Sequence, residues 1–195
     1  MPQSGLQDGF ISVAIHLVAG RFNRKRGAGI PHAYWIGVIS ITVATAVTLA
    51  WMLLSGLVFW RGESLVPIGG MIIGNAMNAV SLALNRLRSE VDQREALLLA
   101  MLALGATHRQ SMRSLYSMVV RSSLIPTIDS LKSVGMIHIP GITAGMILAG
   151  MAPLAAVSMQ LVVMVMLTAA VTLSVSTAVL LAAPRALVFS QQMEE

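Results

Sequence analysis

Residues 33–60 and 154–183 contain no Asp, Glu, Lys or Arg. Uncharged runs of this length leave few folds open. In hydrocarbon no water satisfies the backbone, so only α-helices and closed β-barrels can cross it. A barrel is written in short segments of alternating apolar and polar residues, whereas these runs are long and uninterrupted. The β-branched Ile39, Ile41, Thr42, Val43, Thr45, Val47 and Thr48 would favour a strand in water. In lipid, length decides for a helix. Tyr34 and Trp35 at one end, and Phe59 and Trp60 at the other, fit the aromatic belts of the two interfaces. Only 11% of the chain is charged and 56% is hydrophobic, against about a quarter charged in an ordinary globular chain. The expectation is an all-α, polytopic helical membrane protein forming a single membrane domain over residues 1–195.

Two further spans are predicted between the uncharged runs. The neutral turn Arg61-Gly62-Glu63-Ser64 leads into a span over 65–85. At 100° per residue, Gly74, Asn78, Ser81 and Asn85 fall in a narrow arc with Asn75 beside it. Asparagine at membrane depth must face protein or a wet cavity. The arc is therefore either helix–helix glue or the lining of a pathway, and both place it inward. The other span covers 133–150. Pro140-Gly141 breaks it, and Gly135, Gly145 and Gly150 would let it kink or approach a neighbour closely.

Phe10 to Gly20 is too short to span. Its basic residues Arg21, Arg24, Lys25 and Arg26 follow the apolar run, the reverse of a signal peptide. It reads as a partial transmembrane helix, the inner end of a span. With that basic cluster inside, the spans 33–60, 65–85, 133–150 and 154–183 cross alternately. Arg185 and the C-terminus then fall in the cytoplasm, and of the basic residues only Arg61 lies outside, as the positive-inside rule demands.

The remaining segment, 86–132, is a polar island. Arg86, Arg88, Arg94, Arg109, Arg113, Arg121 and Lys132 are seven of the 13 basic residues. A mixed-charge helical run from Arg86 continues through good helix formers to Leu104. Gly105 stops it, and Thr107 is placed to cap the next helix. That helix, 108–123, is amphipathic. Arg109, Gln110, Arg113, Ser114, Ser117 and Arg121 share one face, and Met112, Leu115, Met118 and Val119 the other. It suits either a headgroup interface or a partner. Pro126 should end or kink it. Asp129 and Lys132 stand three apart, close enough to pair on a helix, and an ionisable pair beside a span is a pathway candidate.

Enzyme chemistry is not visible. With no cysteine, thiol catalysis and Cys-based metal sites are excluded. Gly69-Gly70 and Gly74 lack the Gly-Lys-Ser/Thr ending of a phosphate loop. His16, His32, His108 and His138 are dispersed, so a metal site stays unassigned and no cofactor is expected. The 14 methionines could serve a soft metal or fill gaps between packed helices. The net charge of +5 reflects cytoplasmic loops rather than nucleic acid. Any uphill transport must draw on a partner or an ion gradient.

Four motifs in order carry a resemblance. They are residues 68–80 (Ile68-Gly69-Gly70 through Gly74-Asn75-Ala76-Met77-Asn78), Leu104-Gly105-Ala106-Thr107, Leu124-Ile125-Pro126-Thr127-Ile128-Asp129, and Ile139-Pro140-Gly141 with Gly145 and Leu148-Ala149-Gly150. Over about Phe10 to Ala183 the chain resembles the FetB-type permease family, membrane subunits of ABC transporters linked to iron export and related to plant aluminium-tolerance permeases. The resemblance implies a homodimeric permease in the bacterial inner membrane, exporting a metal ion and driven by a separate ABC-type ATPase. It implies that 86–132 is a cytoplasmic coupling segment contacting that ATPase through Leu104, Gly105, Ala106, Thr107, Arg109 and Arg113. The wider coupling-loop pattern is departed from at Leu99 and Met118. The pathway candidates are Asn75, Asn78, Ser81, Asp129, Lys132, Pro140 and Gly141. Family members usually begin with additional hydrophobic segments, of which Phe10 to Gly20 looks like the tail. Two rival readings are a non-transporting membrane anchor for an ATPase and a gradient-driven carrier.

Overall fold

The computed structural model describes residues 32–56, 62–133 and 141–192. The partial helix expected at 10–20 and the basic cluster after it lie outside them. The described residues form six helices and no strand: α1 (Ala33–Leu54), α2 (Gly62–Gln93), α3 (Glu95–Ala103), α4 (His108–Ser133), α5 (Gly141–Leu148) and α6 (Pro153–Gln192).

Helix α6 is the axis of the bundle, since α1, α2, α4 and α5 all pack against it. The main core combines Ala76, Val80, Ala83, Leu87 and Val91 of α2, Met112, Leu115 and Val119 of α4, and Val171, Val175, Ala178 and Ala182 of α6. Alanine and valine dominate because small side chains let helix backbones approach, and close van der Waals packing is what holds helices together in lipid. A second core lies at the other end, where Met52, Ile72, Val163, Leu167 and Ala170 are joined by Met71, Met164 and Met166. Here methionine serves as the adaptable gap-filler between helices.

Three helices among the described residues are long and apolar enough to cross a membrane: Ala33–Leu54, Ile68–Gln93 and Pro153–Pro184. Their bounds correct the expected ones. The first helix stops at Leu54 rather than Trp60, with Gly56 in the left-handed region at φ 71°. At about 1.5 Å per residue its 22 residues still reach across a hydrocarbon core of about 30 Å. Residues 57–61, including Phe59 and Trp60, lie outside the described residues.

Helix α2 does not end near Asn85. It runs unbroken through the mixed-charge run to Gln93, where pairs spaced four apart support it: Arg88 Nε with Asp92 Oδ2 at 3.6 Å and Arg94 Nε with Glu90 Oε2 at 3.1 Å. The break instead falls at Arg94, which leaves helical geometry (φ −118°, ψ 16°) before α3 begins.

Two prolines are absorbed without ending their helices. Helix α4 continues past Pro126 to Ser133, and α6 past Ala183 and Pro184 to Gln192. Each proline removes one backbone donor, a local loss that neighbouring turns and tertiary packing can carry. Helix α6 also starts on a proline, Pro153, where the missing N–H would have had no helical acceptor.

Of the span expected over 133–150, the structure describes α5 and its exit turn; residues 134–140 lie outside. Gly145 is not a close-approach site, since a Cβ there would meet nothing within 4 Å. Gly150 takes φ 92° and closes α5, its N–H donating to the Ile147 carbonyl at 3.0 Å and that of Met151 to Met146 at 3.0 Å.

Candidate translocation groove and coupling turn

The amphipathic reading of α4 translates directly into burial. Arg109, Gln110, Arg113, Ser114, Ser117 and Arg121 are exposed, while Met112, Leu115 and Val119 are buried. The helix does not lie loose in an interface, because over its first four turns it packs into the bundle against α2 and α6. Beyond Ser123 no described residue of α4 is buried.

Where α4 leaves the core, a groove of about 690 Å³ opens between α2, α4 and α6. Asn75 and Asn78 line it from α2, Ser123 and Thr127 from α4, and Gln160 and Thr168 from α6. Met71, Met164 and Leu167 supply apolar wall. Asn75 Nδ2 donates to the Met71 carbonyl at 2.8 Å. That tie fixes the amide and leaves its carbonyl oxygen as an acceptor. Thr168 Oγ1 donates to Met164 O at 2.9 Å, and Gln160 Oε1 accepts from Thr143 Oγ1 at 3.4 Å.

Ser123 is 1% exposed and its Oγ has no hydrogen-bond partner. A buried hydroxyl without a partner costs on the order of 1–3 kcal/mol. Among the described residues no charged side chain lines the groove, and no cluster of three His, Cys, Asp or Glu is found. Its chemistry is that of neutral dipoles: amide and hydroxyl oxygens with two thioethers nearby.

The predicted pathway residues separate. Asn75 and Asn78 come together in the groove, exposed to it. Ser81 is buried in the helix packing at 5% exposure and does not line it. Asp129 and Lys132 are both exposed and form no ion pair with each other; their expected pairing is not made, and at an exposed site such a pair would gain little over solvation by water. Gly141 begins α5 away from the groove, and Pro140 lies outside the described residues. Gln160, Thr168, Ser123 and Thr127 were missed. Gln160 had a readable signal, as the one amide in the uncharged run 154–183.

The turn at Gly105 has the geometry its sequence asks for. The Gly105 N–H donates to Leu102 O at 2.9 Å and the Ala106 N–H to Met101 O at 3.0 Å, with Gly105 at φ 88°. This double bond around a left-handed residue satisfies the last carbonyls of α3. On the other side, Thr107 N–H donates to Gln110 Oε1 at 2.9 Å, and the Gln110 N–H donates to Thr107 Oγ1 at 3.4 Å. That reciprocal pair caps α4. The turn is therefore stiff, yet it projects, with Leu104 89% exposed. Arg94 braces it from behind, its Nη2 reaching Met118 Sδ on α4 at 3.7 Å.

The model of the family described as "Uncharacterised protein family (UPF0014)" matches residues 6–187. The chain belongs to the UPF0014 family. It is 40% identical over 151 residues, 77% of this chain and 58% of the relative, to the Escherichia coli protein named "Probable iron export permease protein FetB". It is 35% identical over 167 residues, 86% of this chain and 61% of the relative, to "Protein ALUMINUM SENSITIVE 3" of Arabidopsis thaliana. To "UPF0014 membrane protein YjkA" of Bacillus subtilis it is 32% identical over 171 residues, 88% of this chain and 68% of the relative. The chain thus spans 58% and 61% of the lengths of the first two relatives. No solved structure matches this UPF0014 chain.

Proposed function

We propose that this UPF0014 chain is a permease subunit of an ABC-type transporter, exporting a metal ion and driven by a separate ATP-binding subunit. The observation that carries the reading is the groove at Asn75, Asn78 and Ser123, which offers polar contacts beside apolar walls in a protein with three helices fit to span a membrane. Similarity to a relative named as an iron export permease makes iron the cargo to test first. A neutral lining cannot cage a bare divalent ion, which calls for several charged or carbonyl oxygens. The cargo would therefore pass hydrated or chelated, or meet further ligands from a second copy of the chain. Asn75 and Asn78 remain exposed on the open side of the groove, and a homodimer would close it. The projecting turn from Leu104 to Thr107 is the proposed ATPase contact, placed by α3 and α4 so that its movement reaches the groove through α4.

The test is iron transport by membrane vesicles containing the chain and its ATPase. Transport should require ATP, and Asn78→Leu should lower it about tenfold, the effect of removing one polar contact worth about 1.4 kcal/mol. Iron movement without the ATPase would point to a gradient-driven carrier. ATPase binding with no transport would point to a membrane anchor.

A further inference from the structure

A second cavity, of about 410 Å³, lies between the start of α4 and the far end of the α6 span. Arg109, Arg113 and Tyr116 of α4 form one side, a row with spacings of four and three that shares a helix face. Met112 and Ala183, both buried, form the floor, and the exposed Leu180 and Pro184 the opposite wall. The two guanidinium groups have no carboxylate partner among the described residues, whose ion pairs join Arg88 to Asp92 and Arg94 to Glu90. Two cations without a carboxylate partner among the described residues therefore stand at the rim of an apolar notch.

The position along α6 adds a second constraint. From Pro153 to Leu180 the helix rises about 40 Å at about 1.5 Å per residue, more than the roughly 30 Å of a hydrocarbon core. A helix seated in the bilayer over its apolar length therefore brings Leu180 and Pro184 to headgroup level. A ligand matching this site must be anionic at one end and apolar at the other.

We infer that this notch binds an anionic glycerophospholipid. Arg109 and Arg113 hold the phosphodiester through paired N–H donors, the geometry guanidinium offers best, and the first acyl methylenes lie over Met112, Ala183 and Leu180. This goes beyond the transport reading and reassigns Arg109 and Arg113. They hold α4 to the membrane surface instead of touching the ATPase, which leaves contact with the ATPase to the turn.

The experiment is native mass spectrometry of the purified full chain. It is titrated with phosphatidylglycerol, with phosphatidylcholine of the same acyl chains, and with inorganic phosphate as competitor. The expected result is a saturable phosphatidylglycerol adduct that Arg109→Gln/Arg113→Gln weakens on the order of thirtyfold, about one order-of-magnitude step and a half for two arginines. Leu180→Asp, on an exposed position, should weaken it with both arginines intact, and Arg121→Gln should leave it unchanged. The lysine pair Arg109→Lys/Arg113→Lys should retain part of the binding. Equal binding of phosphatidylcholine, unchanged binding in the double glutamine variant, or displacement of the lipid by inorganic phosphate would each overturn the proposal. So would loss of ATPase co-purification in the double glutamine variant with lipid binding intact, which would return the arginines to docking.

Discussion

The two halves of α4 live in different surroundings. From Ser111 to Ser123 it contributes Met112, Leu115 and Val119 to a core that also holds Leu87 and Val175. From Leu124 to Ser133 no residue is fully buried; Leu124 still packs half-buried against the core, while Ile125 and Ile128 are 49% and 38% exposed. The packed half adjoins the capped turn at Gly105, and the open half adjoins the groove. Close-packed interiors transmit displacement with little deformation, whereas a loosely contacted element can move at small cost. Under the proposed coupling role, a push on the turn would be carried through the packed half to Ser123 and there change the shape of the groove.

The contrast can be broken most forcefully in the packed half. Leu115→Ala, at a position 1% exposed, should cost about 2–4 kcal/mol through the cavity it leaves. Ile128→Ala in the open half should cost less than about 1 kcal/mol. Denaturation of the two variants in mixed micelles measures the difference, and equal losses would mean that the open half is covered in the functional assembly.

A smaller and more diagnostic pair is Gly105→Ala and Gly74→Ala. Neither added methyl meets an atom within 4 Å, so backbone conformation alone decides the sign. At Gly105 the left-handed φ of 88° should make alanine cost about 1–2 kcal/mol and reduce coupled ATPase activity. At Gly74, inside α2, alanine should stabilise by about 0.5–1 kcal/mol. Thermal unfolding and ATPase assays of both would sharpen the role of the turn. Smallest of all, Arg88→Gln breaks an exposed ion pair at 3.6 Å and should change stability by no more than about 0.5 kcal/mol; a larger loss in the same denaturation assay would mean that the charged end of α2 is buried against a partner.

Much of this was legible in the chain because the controlling physics is local. Uncharged length alone marks 33–60 and 154–183 as stretches able to cross lipid as helices, and the structure has Ala33–Leu54 and Pro153–Pro184 there. Gly105 and Thr107 mark a turn because only certain residues satisfy a helix end. The period of α4 sorts Arg109, Arg113 and Arg121 from Met112, Leu115 and Val119 before any neighbour is known. What the chain alone did not decide was where its breaks fall and which polar groups meet. Pro126 looks like a terminator, yet its helix continues, as α6 does past Pro184, because one lost donor is small against the packing of the whole element. Arg94, with no breaker chemistry, is where the charged helix ends. Ser81 shares the sequence arc of Asn78 but is buried between helices, while Gln160 and Ser123, from distant stretches, share the groove with Asn78. Spacing along one helix fixes angle, not partner. Only the packing of α2 and α4 on α6 determined which polar residues face a common space and which side of that space stays open.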